Sequence, residues 1–419
     1  MDIREKIAAA NEQAVQAIIQ SDPMWVDVLP ASECVEGLTD HMVLHSGPPI
    51  KYENMCPLHK RSMVSGVLFE RWAKNEDDAR KLLESGEVKI ESNMSLNSIG
   101  AGVGVVTPSM KLMVIEDKTS GKRAVTFFPE AEFQGGLCGW GLYSPEIANN
   151  IKRMCDYLFP TIRELILKKG GLPLKPILAE SMQMGDENHT RQSAADLLFY
   201  KQVIPDLVRM DIPKTLLLDV MNYIVNTPRF FHGFGQSAAR AALLAAEEIP
   251  YSTMVTALAG NGVEYGIKVA GLKNQWFTAP APMMKGRYMS SKYSDEDQLP
   301  WMGDSCVVEA YGMGGIAAAT SPIVCNLRGL KLKDAIGITR EMEQITISKN
   351  YNFAIPNLDF DFLPVGIDIR KVLSTNISPV VHGGMFNREG GLIGVGSARV
   401  PMLCFEKAIK AFSETYLKK

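Results

Sequence analysis

The sequence predicts an α+β chain of mixed α/β character: two α/β parts, residues 1–143 and 251–419, flank a mainly helical domain at 144–250. Three observations lead there. Between about Ser144 and Glu248 the hydrophobic period is helical, broken only at Pro and Gly. On either side, short apolar runs are separated by turn residues, and Ala259-Gly260-Asn261-Gly262 between Thr253–Leu258 and Glu264–Ala270 is the strongest hairpin signal in the chain. Finally, 419 residues exceed one ordinary core and call for two or three domains, with the C-terminal part packing back on the N-terminal part.

The elements follow in order. Met1 to Gln20 alternates charged and small apolar residues as an amphipathic helix does, and Trp25 to Leu29 reads as extended. Two helices come next, of which Asn75 to Gly86 is bounded by an asparagine cap and a terminal glycine. After the glycine-rich passage Ile99–Pro108, Leu112–Glu116 and Arg123–Phe128 flank Lys118-Thr119-Ser120-Gly121 as a hairpin. The helical block comprises Ile147–Lys169, Thr190–Met210, Pro213–Val225 and Phe231–Glu248. Beyond the Asn261-Gly262 hairpin, a helix at Lys331–Lys349, a strand near Pro364–Ile367 and a closing helix at Pro401–Tyr416 complete the reading. No internal repeat is evident apart from a short Met-Gly-Asp echo.

Composition narrows the function. With 46% hydrophobic and 22% charged residues the chain reads as globular, and a net charge of -3 offers nothing to nucleic acid or acidic membranes. The seven cysteines are scattered without C-x-x-C or zinc spacing, and no stretch reaches the length of a membrane span. A cytoplasmic protein without a metal site is expected. Walker, full dinucleotide-binding, G-x-S-x-G and H-E-x-x-H patterns are all absent, so neither ATP nor NAD nor any other cofactor is expected.

The chemistry concentrates at the echo. Met184-Gly185-Asp186-Glu187-Asn188-His189-Thr190-Arg191 and Met302-Gly303-Asp304-Ser305, with Glu309 close behind, each place a carboxylate after a turn-forming glycine. Both aspartates are equally readable as helix N-caps, and a helix N-terminus also binds anions. The first cluster adds a histidine, a hydroxyl and a guanidinium, enough for acid/base work and anion binding. Three glycine stretches could hold phosphate or carboxylate: Gly100–Gly104, Gly312–Gly315 and Gly390–Gly396. The second is the most physical candidate, because it runs into Ile316-Ala317-Ala318-Ala319, read as an alanine-rich helix, although close helix packing explains the glycines as well. His45 sits at a strand-to-turn transition that would present it at a sheet edge, and Asp368 and Arg370 fall on one face after an apolar strand.

Taken together, Leu44-His45-Ser46-Gly47-Pro48-Pro49, the Met184–Arg191 cluster, Asn261-Gly262, Trp276-Phe277-Thr278-Ala279-Pro280, Met302-Gly303-Asp304-Ser305 and Gly366-Ile367-Asp368-Ile369-Arg370 resemble the AllG (YlbE-like) subunit family of bacterial oxamate carbamoyltransferase, over nearly the whole chain. The match is loose around Cys56–Lys60 and Met94-Ser95, which discounts His59, and His382 is discounted as well. The Ser-Thr-Arg-Thr motif of the common carbamoyltransferases is absent. The resemblance implies carbamoyl transfer between oxalurate and phosphate, giving oxamate and carbamoyl phosphate in allantoin or purine breakdown, with other carbamoyltransferase subunits as partners. A homo-oligomer is also expected. The assignment is then His189, Asp186 and Asp304 as catalytic residues, with Asp186 orienting His189 and Asp304 and Ser305 positioning the substrate amides. Arg191, Ser305, Glu309, Gly312, Gly314, Gly315, Asn261, His45, Asp368 and Arg370 would bind substrate, the Gly312–Gly315 amides holding an anion with Arg191 or Arg370. The alternatives are a non-catalytic scaffold or regulatory subunit and an enzyme for another small ureido or amide acid.

Overall fold

Asp2 starts the first helix, Ile3–Gln20, through a capping box in which its carboxylate accepts the Glu5 N–H and Glu5 accepts the Asp2 N–H. The computed structural model describes residues 2–130 and 136–417. Strand Pro23–Pro30 follows and pairs antiparallel with Lys111–Asp117 on one side and Leu172–Pro173 on the other. Arg123–Phe127 and Ser98–Ile99 complete a five-stranded sheet. The predicted helix at Asn75–Gly86 is Glu76–Ser85, with the Asn75 side chain accepting the Asp78 N–H and Gly86 left-handed at φ +77°.

The helical stretch ends in His232–Ala246, which packs between that sheet and the opening helix and also touches strand Val255–Asn261. Its entry is aromatic: Phe230, Phe231 and Phe234 are fully buried, and Phe234 lies 4.7 Å from Trp25 between ring centroids. Val255–Asn261 and Glu264–Val269 form the expected hairpin within a four-stranded sheet closed by Phe277–Pro280 and Met302–Gly303. The later hairpin Thr346–Ile355/Asp361–Ile367 packs on the first helix, and one hydrophobic core runs from Ile7 to Phe412. Among the described residues no helix is long and apolar enough to cross a membrane.

Four local expectations are corrected. Ile147–Lys169 is helical throughout but not α throughout: Pro160 offers no N–H and crowds the preceding turn, so α-helices Pro145–Arg153 and Phe159–Lys169 are joined by a wide π turn at Met154–Leu158. The helix at Lys331–Lys349 stops at Glu343, and β-branched Thr346 and Ile347 enter a strand instead. Gly390–Gly396 is no anion loop but the turn and start of strand Leu392–Arg399, paired with Val380–Phe386, where a Cβ on Gly394 would lie 2.4 Å from Met385 Cε. The alanines after Gly315 form only a short 3₁₀ turn, Ala318–Thr320.

Candidate active site

The first Met-Gly-Asp segment reverses the chain between helices Lys175–Gln183 and Ser193–Val208. Gly185 takes φ +98° and Asn188 φ +61°, a conformation that costs a non-glycine residue about 1 kcal/mol. The Asn188 side-chain amide holds the turn by donating to Ser181 Oγ at 3.2 Å and Leu178 O at 3.4 Å. Inside the turn, the buried Glu187 carboxylate accepts the amide N–H groups of Thr190 at 2.7 Å, Arg191 at 3.0 Å and His189 at 3.3 Å. Nδ1 of His382 reaches the same carboxylate at 3.3 Å. Burial works against ionisation of Glu187, but the His382 bond, the positive field of Arg328 and the Arg191 amide outweigh it and hold the carboxyl well below its usual range. Burial and the Arg328 charge push His382 down to about 3, so it is neutral and donates.

This turn aims His189 inward. Its Nδ1 lies 2.8 Å and 2.9 Å from the two carboxylate oxygens of Glu309, both residues being buried, and Glu309 Oε1 also accepts the amides of Gly315 and His382, each at 2.9 Å. An ionised carboxylate only accepts, so Nδ1 carries a hydrogen, and whenever the ring is neutral the lone pair is on Nε2. His189 lines a cleft of about 130 Å³. Phe127, Trp140, Phe386 and Leu392 supply apolar wall, while Ser305, Arg229, His232 and Gln236 supply polar groups. Glu130 is on the wall too, its oxygens taken by the amides of Leu137 at 2.7 Å and Cys138 at 3.2 Å and its pKa pushed up to about 7 by burial.

The second Met-Gly-Asp segment builds the floor. Asp304 is fully buried and accepts Gly47 N–H at 2.7 Å and Gly100 N–H at 2.9 Å, tying two loops together. Ser46 Oγ donates to Gly102 O at 2.6 Å and Asn93 Nδ2 to Gly104 O at 2.7 Å, so the Gly100–Gly104 passage is fixed from behind while Ala101 and Gly102 face the cleft. Burial pushes Asp304 up to about 7 from an ordinary 3.8, against the pull of the two amides. A raised carboxyl pKa means that the folded protein holds a proton the unfolded chain has released between pH about 4 and 7. The group's stabilisation is therefore full below that window and lost as pH rises through it. Denaturant unfolding should show the advantage of the wild type over Asp304→Asn shrinking as pH rises through this window; a gap that is flat or widens would count against it.

The chain matches the family model described as "Oxamate carbamoyltransferase subunit AllG" over residues 88–305. It is 33% identical to the oxamate carbamoyltransferase subunit AllG of Escherichia coli K12 over 98% of each protein. The chain belongs to the AllG family. A second relative, the E. coli K12 protein titled "Uncharacterized protein YahG", is 35% identical over 99% of this chain and 88% of that one. The fold has a solved counterpart in a conserved protein of unknown function from Enterococcus faecalis V583, with a TM-score of 0.95, 34% identity and 99% of both chains covered.

Within this AllG-family chain, the residues singled out in the sequence separate into two groups. His189 and Ser305 line the cleft, and Glu309 binds His189. The rest serve other partners. Asp186 does not orient His189: it pairs with Arg191 and caps the next helix through the amides of Ala194 and Ala195, both at 2.8 Å. Burial raises its pKa to about 6. Among the described residues, the Asp304 carboxylate is hydrogen-bonded by backbone amides alone. The Gly312–Gly315 amides are spoken for. Gly312 N–H bonds Val308 O and Glu309 O, Gly314 N–H bonds Glu187 O at 2.7 Å, and Gly315 N–H bonds Glu309, so the expected anion cradle is corrected to a backbone support for the dyad. Glycine is needed at Gly314 because a Cβ would lie 2.1 Å from Glu309 Oε1. Asn261 closes its hairpin through Val263 and Glu264 N–H. Asp368 caps helix Ile369–Thr375 and pairs with Arg370 at 2.7 Å while accepting from Thr253 and Asn11, which leaves neither Asp368 nor Arg370 at the cleft. His45 is buried beside His59, not presented at an edge, and is pushed down to about 4 by burial.

Sequence reasoning missed Glu187 as a support, discounted His382, and passed over Arg229, His232 and Gln236. A signal existed for His232 and Gln236: two polar residues four apart in an otherwise apolar aromatic run fall on one face of the coming helix.

Proposed function

We propose that this chain is a subunit of an oxamate carbamoyltransferase-like enzyme that moves the carbamoyl group between oxalurate and phosphate. The observation that carries the reading is the buried His189–Glu309 pair, whose imidazole belongs to a residue lining a small cleft. In this reading a hydrogen phosphate oxygen attacks the terminal ureido carbon of oxalurate, and His189 Nε2 takes the phosphate proton. The carbon–nitrogen bond then breaks, and the imidazolium returns the proton to the departing amide nitrogen of oxamate. Atoms and charge balance: oxalurate and hydrogen phosphate give oxamate and carbamoyl phosphate. Glu309 stabilises the imidazolium between the two transfers. Ser305, which lines the cleft, supplies in this reading a hydroxyl that donates to a substrate oxygen. The AllG name of the relative motivates the choice of acyl group and of partner subunits.

The test is phosphorolysis of oxalurate by the purified chain, alone and with the other carbamoyltransferase subunits, read as carbamoyl phosphate trapped by a carbamate kinase and ADP. Formation of ATP that requires oxalurate, phosphate and this chain is the expected result. No carbamoyl phosphate under either condition sinks the reading.

A further inference from the structure

Arg229 and Gln236 meet one ring, Gln236 at His232 Nε2 and Arg229 Nη2 nearer to Nδ1 than to Nε2, from which it lies 3.4 Å. Arg229 Nη2 lies 2.9 Å from His232 Nδ1 and 3.0 Å from His189 O, and Arg229 Nε lies 3.3 Å from Gln192 Oε1. A guanidinium only donates, so the nearer nitrogen, His232 Nδ1, accepts and the ring hydrogen sits on Nε2. Burial and the Arg229 charge push His232 well below its ordinary pKa, consistent with a neutral ring. Nε2–H in turn faces the Gln236 side-chain amide. The pairing open to it is the amide oxygen, and a half-turn of the terminal group makes that pairing, since the oxygen and nitrogen positions of a glutamine are interchangeable.

The consequence falls on the other end of the amide. Its second position is buried and bonded to no described protein group, although Gln236 is fully buried and lines the cleft. With the oxygen turned to His232, that position holds an NH₂. Arg229 lines the same cleft, and none of the described residues accepts from its Nη1. Two donor groups, one charged and one neutral, are thus held side by side by one imidazole at the positive end of helix His232–Ala246. The oxygens of Glu130 on the same wall are already taken by backbone amides.

We propose that Arg229 and Gln236, clamped on the two nitrogens of His232, form a subsite for a carboxylate with a carbonyl beside it, the α-oxo acid end shared by oxamate and oxalurate. Arg229 takes the carboxylate and Gln236 the neighbouring carbonyl. His232 is a positioning residue: it touches no ligand and sets which end of Gln236 faces the cleft. The choice of ligand rests on the carbamoyl-transfer reading, but the test reads binding without turnover, so the two fail separately.

Calorimetric titration of the intact chain with oxamate, and with acetate, which lacks the carbonyl, is the experiment. Saturable oxamate binding is expected to weaken about tenfold to a hundredfold in Arg229→Gln and in Gln236→Glu, while weak acetate binding responds to Arg229→Gln and not to Gln236→Met. Because Arg229 also braces His189 O, nitrogen-15 spectra of the wild type supply a readout independent of any variant's folding. His232 should show the Nε2–H form, and oxamate should shift the Gln236 side-chain NH₂ resonances. The proposal is overturned by no saturable oxamate binding, by unchanged affinity in both variants, or by an Nδ1–H form of His232.

Discussion

Replacing His189 with alanine is expected to lower carbamoyl transfer by about a hundredfold to ten-thousandfold, the range that a positioned acid/base group supplies. Two features make this residue the choice over the other histidines. Its Nδ1 is committed to Glu309, which leaves Nε2 for the reaction, and it lines the cleft. His45 and His59 are buried side by side, pushed down to about 4 and about 3 by burial, and neither lines that cleft. Glu309→Gln should preserve an acceptor for Nδ1–H yet still lose rate, because a neutral amide stabilises the imidazolium less than a carboxylate does. Steady-state rates of the assembled enzyme, with an unfolding curve for each variant, check both. Full turnover by a folded His189→Ala protein would assign the cluster a structural role only.

The largest stability effect is expected at Glu187. Substitution by alanine leaves the amides of His189, Thr190 and Arg191 and the His382 imidazole without their acceptor. Each orphaned buried donor costs roughly 1–3 kcal/mol, and with partial relaxation a loss of about 4 kcal/mol is expected from urea unfolding. Loss of transfer should accompany it, since the turn that aims His189 is the one Glu187 holds. The pH dependence has a definite sign. The folded carboxyl titrates below its ordinary 4.5, so its stabilisation is present above pH about 4.5 and disappears as pH falls through the folded value. The gap between wild type and Glu187→Gln should therefore narrow on acidification, opposite to the trend at Asp304. A Glu187→Ala protein within 1 kcal/mol of wild type, roughly the effect of an ordinary substitution, would refute the assignment of this carboxylate as the turn's support.

Local signals were legible where a short segment decides its own shape. Asn75 and Gly86 bound a helix because a side-chain oxygen satisfies an early amide and glycine takes φ +77° without a Cβ clash. Asn261-Gly262 turns a hairpin for a similar reason: the Asn261 side chain accepts from the amides of Val263 and Glu264, and Gly262 takes φ +80°. The echo of Met-Gly-Asp likewise marks two glycines at positive φ, Gly185 inside a tight turn and Gly303 where strand Met302–Gly303 ends.

What the segments could not announce was which distant group each polar atom would meet. His189 and Glu309 are separated by 120 residues, and Glu187 and His382 by 195, so their pairing is decided by how the sheets and the central helix pack. The glycines of Gly312–Gly315 show the same limit from the other side: sequence reveals backbone free to approach something, but the folded chain fills those amides with Glu187 and Glu309. Sequence alone therefore determined the α+β class, the family resemblance and the turns that carry the candidate residues. Only the tertiary structure decided that Asp186 and Asp304 brace turns while Glu309 orients His189. A buried carboxylate binds whichever donors the fold brings within about 3 Å, and chain separation does not report that distance.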